Sequence, residues 1–276
     1  MSAKRPGERL VAAAIYAAII AVSVTTLLPF IWMVFTSFKP LQEVESATPI
    51  PREWHSENYG EVFRQVPFGR YYANSVFVAA WVTLLTLLTS AMSAFAFSRM
   101  RWKGRDQVFK LYLATLMIPG VVTMIPNYAV MVQLGLLDSY TGLILPAAFT
   151  AFGTFLMRQF MVTIPAALDE AATLDGASPW GVFWDVILPL ARPGLITLAI
   201  FTFVGNYGSF FWPLVMIKSE SLRTLPIGLM FFDSAYGRST NLIMAASVMA
   251  ILPPALIFVL LQKHLVRGIQ LGAVKG

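Results

Sequence analysis

Long apolar runs dominate the chain and are separated by shorter polar segments. A transmembrane helix needs about 20 apolar residues to cross roughly 30 Å of hydrocarbon, and six runs reach that length. They lie at about residues 11–36, 72–98, 109–133, 140–160, 194–217 and 240–262. The first run is too long for the apolar region of a signal peptide, so we interpret it as a retained span. The pattern therefore predicts an all-α integral membrane protein with six transmembrane helices.

Basic residues are distributed unevenly between the predicted loops. Most of the Lys and Arg residues lie in the two terminal segments, in 99–110 and in 158–193, whereas acidic residues accumulate in 37–70. Because basic residues favour the cytoplasmic side of a membrane, we expect both termini in the cytoplasm (N-in/C-in). Residues 158–193 are then cytoplasmic, and 37–70 and 218–239 are the larger outer loops. We attribute the net charge of +6 to the cytoplasmic lipid face and not to nucleic-acid binding.

Several kinds of chemistry find no support in the sequence. The chain has no cysteine, and its two histidines, His55 and His264, are far apart, so we predict neither a metal site nor a thiol-based centre. It contains no G-x-x-x-x-G-K-[ST] nucleotide-binding loop, so we predict that it is not an ATPase or other enzyme. The span cores carry no ionisable side chain. This weakens an ion-coupled carrier but leaves it open, because carbonyl and hydroxyl oxygens can also hold sodium.

Prolines interrupt the third predicted span at Pro119 and Pro126. A proline inside a helix frees backbone carbonyls and bends the helix. Two interpretations stay open. These residues are hinges beside a transport pathway, or they are prolines of the kind that membrane helices tolerate.

The polar segment between the fourth and fifth spans has a pattern of its own. Pro165 marks a helix start. Asp169 and Glu170 follow about one turn later, where the helix dipole still favours negative charge. Gly176 supplies a left-handed stop. These signals predict a short helix over 165–175.

A second short helix follows and carries an apolar stripe with i, i+3, i+4, i+7 spacing. The stripe consists of Trp180, Phe183, Trp184 and Ile187. Tryptophan favours the boundary between membrane and water, so we expect this helix on the membrane surface and the first helix with a small, acidic face toward the cytosol. These residues alone fit an ordinary amphipathic loop as well as a docking site for an unidentified protein.

The same segment resembles the EAA loop of bacterial ABC-importer permeases. The matching residues are Glu170-Ala171-Ala172, Asp175-Gly176-Ala177 and, downstream, Ile187-Leu188-Pro189-Leu190 with Pro193. Further motifs are similar to the carbohydrate subgroup, which includes the smaller membrane subunit of the maltose importer. They include Thr36-Ser37-Phe38-Lys39, Asn74-Ser75, Met117-Ile118-Pro119, Gly135-Leu136-Leu137-Asp138 and Gly272-Ala273-Val274-Lys275-Gly276.

The resemblance implies a type I ABC-importer permease fold in a single domain, residues 1–276, with a core at about 70–265 and a coupling helix in 165–190. It implies a second permease, two ATPase subunits that hold ATP and Mg²⁺, and an extracytoplasmic solute-binding protein, with no cofactor on this chain. The implied activity is ATP-driven import of a carbohydrate or sugar-like solute by alternating access. The implied ATPase contacts are Asp169, Glu170, Ala171, Ala172, Asp175, Gly176 and Ala177, with Lys275 and Gly276 in the tail.

The fifth span departs from the family pattern, because Asn206 lacks the tryptophan and aspartate that often accompany it. Polar and aromatic side chains in this region could contact sugar hydroxyls and rings, and helix packing is the alternative. The candidate residues for a translocation path are Asn206, Tyr207, Ser209 and Phe210, with Asn127 of the third span. The outer loop 218–239 either reaches the binding protein or only connects two spans.

Two other classes of function stay open beside the importer. An ion-coupled secondary carrier would run on a gradient, so an uncoupler would stop its uptake. A structural or assembly protein of the membrane would show no transport. The coupling-helix pattern argues against both.

Overall fold

The structure is a computed structural model in which all regular secondary structure of the described residues is helical, which confirms the all-α class. It describes residues 6–46, 48–235 and 239–273, with side chains for all of these except 6–10, 233–235 and 264–273. The predicted tail contacts Lys275 and Gly276 lie outside the described residues.

The α-helices are α1 (Pro6–Ser37), α2 (Leu41–Val44), α3 (Glu57–Gln65), α4 (Phe68–Ser98), α5 (Arg105–Ala114), α6 (Gly120–Gln133), α7 (Tyr140–Ile144), α8 (Ala151–Thr163), α9 (Ala167–Leu174), α10 (Pro179–Gly181), α11 (Leu188–Leu190), α12 (Arg192–Tyr207), α13 (Phe211–Met216), α14 (Leu225–Ala235) and α15 (Thr240–Ala273). Short 3₁₀ turns lie at Thr115–Met117, Leu145–Ala147 and Glu220–Leu222, and a π-helical stretch, Val182–Ile187, joins α10 to α11.

Three helices are long and apolar enough to cross a membrane unbroken. They are Val11–Ser37 within α1, Phe68–Ser98 and Thr240–Lys263 within α15. The other apolar regions are helix pairs, each bent by more than 40° at a short break. The sequence predicts one span for each of the runs at 109–133, 140–160 and 194–217, with prolines that interrupt the run at 109–133, and the structure divides each run into separate helices. A total of six spans, with each bent pair as one span, stays a prediction, as does the N-in/C-in orientation.

The sharpest bend, 101°, separates the helical residues up to Met117 from α6. Ile118 is extended (φ −85°, ψ 118°), because the ring of Pro119 disfavours a helical conformation in the residue before it. Pro126, by contrast, lies inside α6 without ending it. Of the two candidate hinges, only Pro119 therefore stands at a break, and a hinge function for either stays a prediction.

Side chains of α4 satisfy carbonyls at the break between α7 and α8, where the chain bends by 45°. Thr86 Oγ1 donates to the Ala147 carbonyl at 3.2 Å, and Thr89 Oγ1 donates to the Ala148 carbonyl at 2.7 Å. A carbonyl without a partner is costly away from water. The two threonines therefore stabilise the bend.

The third bent pair joins Pro179–Leu190 to Arg192–Tyr207 at 74°. The chain leaves the helix again after Tyr207, and α13 begins only at Phe211. The apolar run at 194–217 therefore contains two helices with a break in between.

Contacts within the chain divide it into two compact units. One contains the described residues up to Phe68 together with Leu229–Ile251, and the other contains Gly69–Gly228 with the described residues from Leu252. The 165–190 segment and the region of Asn206 both lie in the second unit. A single domain stays a prediction.

In the first unit, a buried polar network fixes the chain where it leaves α1. Lys39 is fully buried, and its Nζ donates to the Thr48 carbonyl at 2.5 Å. The Asn58 amide donates to the carbonyls of Ser37 and Lys39, both at 2.9 Å. The Asn241 amide donates to the Lys39 carbonyl at 3.3 Å. Buried polar groups require such partners, so these bonds determine the path of the chain here.

The larger core of the second unit joins α4, α8, the π-helical stretch and α12. Its buried members are Ala91, Ala94, Phe95, Met157, Met161, Val182, Phe183, Ile187, Ala191 and Leu198. A separate cluster in the same unit contains Val78, Val82, Met131, Leu143, Met216 and Ile217. The first cluster connects the 165–190 segment to the helix that leads to Asn206.

Gly194 allows α12 to approach α8 closely. A Cβ at this position would lie 2.7 Å from two ring carbons of Phe160 and 3.1 Å from its Cβ. Gly205 of the same helix has nothing within 4 Å of such an atom. The two glycines therefore provide a matched comparison, because one lies at a tight helix contact and the other has open space beside it.

We expect Gly194→Ala to lower the free energy of unfolding by about 1–3 kcal/mol, because it overpacks the contact with Phe160. Gly205→Ala should be neutral or stabilising, since alanine favours a helix over glycine by about 1 kcal/mol. Thermal unfolding of the full chain in detergent, followed by circular dichroism, measures both. Equal effects of the two substitutions would contradict a close contact specific to Gly194.

Asp138 connects the turn after α6 to the segment after α13. Its carboxylate accepts hydrogen bonds from the N–H groups of Lys218 and Ser219, both at 2.9 Å, and from the Ser219 hydroxyl. The hydrogen bonds from the Ser219 side chain and backbone lower the pKa of Asp138 because they favour its charged form. Its left-handed backbone (φ 51°) is tolerated by aspartate and asparagine alike.

Asp138→Asn therefore removes the charge with little change in backbone preference. A carboxylate whose pKa is lowered by folding stabilises the fold above its unfolded pKa of about 3.9, and this contribution is lost as the pH falls through the folded value. We expect the variant to unfold at a lower temperature than the parent at pH 7, and the difference to shrink as the pH falls below about 3.9. Unfolding temperatures across this range test it, with the exposed Asp106→Asn as control. A difference that persisted at low pH would contradict a role for the charge.

Candidate functional site

The 165–190 segment begins with α9. This helix spans Ala167–Leu174, slightly less than the predicted range. The N–H of Ala177 returns to the Ala172 carbonyl at 2.9 Å, and Gly176 has a φ of 88°. Such a return bond with a left-handed glycine is a common helix end. The predicted short helix and its glycine stop are confirmed.

The two acidic residues of α9 point in different directions. Glu170 is exposed, and Leu174 on the same helix is 88% exposed. The Asp169 carboxylate instead accepts a hydrogen bond from the Arg99 guanidinium at 3.1 Å, and its side chain is 22% exposed. The expected acidic face toward the cytosol therefore contains Glu170 but not Asp169, because Arg99 holds the latter against the rest of the chain.

The other predicted contact residues, in α9 and in the turn that follows it, are also divided between two faces. Ala172 and Ala177 are partly buried against the core that α4, α8, the π-helical stretch and α12 form. Ala171, Asp175 and Gly176 are exposed. The segment therefore has an inner face that packs and an outer face that a partner could contact. An ATPase contact for any of these residues stays a prediction.

The predicted apolar stripe of the second helix is divided between two environments. Phe183 and Ile187 are buried in the core, whereas Trp180 and Trp184 are 58% and 47% exposed. The Phe183 ring packs against Phe95 of α4 with centroids 5.2 Å apart. The sequence analysis assumed α-helical spacing, but this stretch is π-helical, with i→i+5 bonds. Half of the stripe thus packs within the chain, and a membrane-surface position for the tryptophans stays a prediction.

Two cavities lie beside Asn206, near the end of α12. One has a volume of about 200 Å³ and the other about 400 Å³, and Asn206 borders both. The first is also lined by Ser75, Ser209, Thr224 and Trp212, and the second by Thr86, Thr150, Thr202, Phe152 and Phe201. All residues that line the two cavities are uncharged.

The structure separates the predicted path residues. Asn206 and Ser209 line the smaller cavity. Tyr207 is buried and stacks on a phenylalanine of α12 with centroids 5.9 Å apart. Phe210 caps the start of α13, and Asn127 is exposed on α6. Of the five, Asn206 borders both cavities described above and Ser209 borders the smaller one, and a substrate contact for any of the five stays a prediction.

Ser75 and Thr224 complete the polar wall of the smaller cavity, and the sequence analysis did not identify either as a site residue. Ser75 Oγ accepts a hydrogen bond from the Leu225 N–H at 2.8 Å. Thr224 Oγ1 is buried without a hydrogen-bond partner in the described part of the chain. Ser75 was noted only as part of a motif near the start of a span, and Thr224 follows a loop that has no motif.

Arg99 is the other residue that the sequence analysis did not identify. It was interpreted only as one basic residue of the 99–110 loop. Its partner Asp169 is 70 positions away in the chain, and no spacing rule relates residues so distant. The signal that the sequence did offer was the position of Arg99 directly after an apolar span.

Titratable side chains do not converge on a metal site in the described ranges. No group of three or more His, Asp or Glu side chains there is arranged to hold a metal ion. The prediction that this chain carries no cofactor of its own is a separate matter, and it stays a prediction.

Comparison with known proteins identifies the class of this fold. Residues 65–271 match the family described as binding-protein-dependent transport system inner membrane component. The chain is 34% identical over 253 residues to the arabinooligosaccharides transport system permease protein AraQ of Halalkalibacterium halodurans, with 90% of this chain and 91% of that protein covered. It is 37% identical over 218 residues to the sn-glycerol-3-phosphate transport system permease protein UgpE of Yersinia pestis, with 78% and 76% covered.

A solved structure is similar over almost the whole chain. It is the crystal structure of a bacterial ABC transporter involved in the import of the acidic polysaccharide alginate. The TM-score is 0.84 at 25% identity, with 95% of this chain and 99% of that chain covered. The chain therefore belongs to the binding-protein-dependent transport system inner membrane component family, and it is a multi-pass membrane permease of the ABC transporter class.

Proposed function

We propose that this chain is the permease subunit of an ATP-driven importer that brings a carbohydrate or sugar-like solute into the cell by alternating access. The observation that carries the proposal is the arrangement of α9. Its outer face presents Glu170 to solvent, while Ala172 on its inner face packs on the same core as α12. Such a helix can receive a force from a partner protein and pass it to the membrane helices.

The energy source must come from another protein, because the sequence has no nucleotide-binding loop. We propose two ATPase subunits that bind ATP and Mg²⁺, one of which contacts α9. A second, homologous permease completes the pathway, and an extracytoplasmic binding protein delivers the solute. The family description, which names dependence on a binding protein, supports the last of these partners. In this arrangement the 165–190 segment lies in the cytoplasm.

The path of α12 supports a mechanical link from α9 to the cavities. It spans Arg192–Tyr207, which corresponds to a length of about 24 Å at 1.5 Å per residue. Leu198 in its middle belongs to the buried core that contacts Ala172, and Asn206 near its end borders both cavities. Displacement of α9 would therefore move the cavity wall.

The lining of the cavities supports a solute with hydroxyl groups and no charge. Ser75, Asn206 and Thr224 offer neutral hydrogen-bonding groups, and Trp212 offers an aromatic ring in the same wall. A buried anion would require a cationic partner, and neither lining contains one. The arabinooligosaccharide permease named above supports an oligosaccharide as the solute.

Glu170→Lys tests the contact with the ATPase. The exposed carboxylate of Glu170 is suited to pair with a basic residue of a partner, and charge reversal would replace attraction by repulsion. We expect the variant to reach the membrane but to lose co-purifying ATPase and ATP-dependent uptake by at least about tenfold. Affinity purification with mass spectrometry, and uptake in cells that express the native partners, measure both.

Asp185→Lys is the matched control, because Asp185 is exposed in the same segment but lies outside α9. It should retain the ATPase and uptake. Unchanged assembly and uptake with Glu170→Lys would remove Glu170 from the contact. Uptake that stopped with an uncoupler, from a chain that purified without an ATPase, would favour a secondary carrier.

Asn206→Leu tests the cavity. We expect a weaker apparent affinity for the solute, by about 5- to 150-fold, since a polar site that loses a hydrogen-bonding group loses about 1–3 kcal/mol. Asn206→Ser, which keeps a polar group, should lose less. Uptake at graded solute concentrations gives the affinities, and thermal unfolding of the complex serves as control. Lower stability with normal affinity would favour helix packing as the role of Asn206.

A further inference from the structure

Arg99 connects three elements at one corner of the second unit. It follows directly after α4, and its guanidinium donates to the Ile164 carbonyl at 2.7 Å and to the Met161 carbonyl. Both carbonyls belong to the C-terminal end of α8, which lacks helical partners and favours a cation. The same guanidinium donates to Asp169 of α9 at 3.1 Å. One side chain therefore holds the ends of α4 and α8 and the first turn of α9.

Without Arg99, few contacts would hold α9 against the ends of α4 and α8. The link from α8 to α9 is extended at Ile164 (φ −77°, ψ 130°). Its backbone hydrogen bonds are short-range ones on either side of that residue, from the Ile164 N–H to the Met161 carbonyl and from the Leu168 N–H to the Pro165 carbonyl, both at 3.2 Å. α9 has only eight residues and no buried residue of its own. A helix this short is marginal alone. Ala172 of α9, like Ala177 after the glycine turn, is only partly buried, and the bond from Arg99 to Asp169 is a further side-chain attachment of α9.

The surroundings indicate orientation, and not stability, as the role of this pair. The Arg99 side chain is 9% exposed, and both Arg99 Nε and Asp169 Oδ1 are buried without a partner in the described residues. Burying a charged pair whose polar atoms are not all hydrogen-bonded often gives no more stability than a pair of apolar residues would give. A fork-shaped guanidinium that bonds a carboxylate and helix carbonyls together does fix direction.

The same end of α4 contacts the second half of the segment. Phe95 lies one helical turn before Arg99 and packs against Phe183 of the π-helical stretch. The Arg99 N–H donates to the Phe95 carbonyl at 2.8 Å, so the two side chains are held in a fixed relation. The end of α4 thus holds the segment both before and after its glycine turn.

We propose that Arg99 is a positioning residue whose bond to Asp169 makes α9 move as one body with the ends of α4 and α8. This inference rests on the proposed function of α9 as the ATPase contact. A push on α9 then reaches the membrane helices, whereas without the bond the Ile164 link would bend and absorb it. Asp169 acts inside the permease, and Glu170 faces the partner.

Spin labels test this directly, because the chain has no cysteine and labels can be placed at two introduced cysteines. Met100, next to Arg99, is 46% exposed, and Leu174, at the end of α9, is 88% exposed. In the complex purified with its partners, we expect a narrow distance distribution between Met100→Cys and Leu174→Cys that ATP does not change. Asp169→Asn should at least double its width and make it respond to ATP. Asp169→Glu should restore the narrow form.

Two further comparisons serve as controls. Asp185→Asn, an exposed aspartate of the same segment, should leave the distribution unchanged. The distance distribution of Arg99→Gln combined with Asp169→Asn should be no broader than that of Arg99→Gln alone, because each substitution removes the same bond between Arg99 and Asp169. A distribution that stayed narrow in Asp169→Asn, even with a lower unfolding temperature, would overturn the proposal and leave the pair with a structural role only.

Failure of the proposed function would look different. A complex without ATPase subunits, or a Glu170→Lys variant with normal assembly and uptake, would count against the ATPase contact. The distance between the labels would still report whether Arg99 orients α9. If the distance between the two labels changed with ATP in an intact importer without further substitutions, this would contradict the movement of α9 as one body with α4 and α8. The ATPase contact would stand.

Discussion

Backbone groups freed at a helix break must find partners inside the protein, because the hydrocarbon of a membrane offers none. In the second unit these partners are side chains of neighbouring helices. Thr86 and Thr89 bond the carbonyls at the break before α8. Trp212 Nε1 donates to the Gly142 carbonyl at 3.1 Å. Because these carbonyls have side-chain partners, the chain can bend before α8, beside the cavity that Thr86 and Thr150 line.

The packing between the helix breaks determines how a displacement could pass through the second unit. Closely packed interiors transmit displacement better than they absorb it. The core that includes Phe95, Met161, Phe183 and Leu198 lies between α9 on one side and the Asn206 end of α12 on the other. The space between α12 and α8 at Gly194 is too small for a methyl group. Both the 165–190 segment and the cavity wall are therefore attached to one well-packed body.

Sequence patterns predicted what depends on neighbours along the chain, and missed what depends on direction. Hydropathy located the apolar regions, and Gly176 correctly marked the end of α9. Summed hydropathy contains no information about bends, so only Pro119 pointed to the break at Ile118, and its angle of 101° was not predicted. The assumption of α-helical spacing placed Phe183 and Trp184 on one face, whereas the π-helical stretch buries only the first. The pairing of Arg99 with Asp169 depends on the fold itself.

The fold alone does not determine which class of solute fits the protein. The residues that line the cavities restrict that class. The similar proteins are named for arabinooligosaccharides, sn-glycerol-3-phosphate and the acidic polysaccharide alginate, so solutes with and without charge are associated with one architecture. Anionic groups away from water need cations or helix N-termini. Neither cavity lining contains a basic residue. A charged solute would therefore have to take its compensating charge from outside these two linings, whereas Asn206, Ser75 and Thr224 offer hydrogen-bonding groups to hydroxyls.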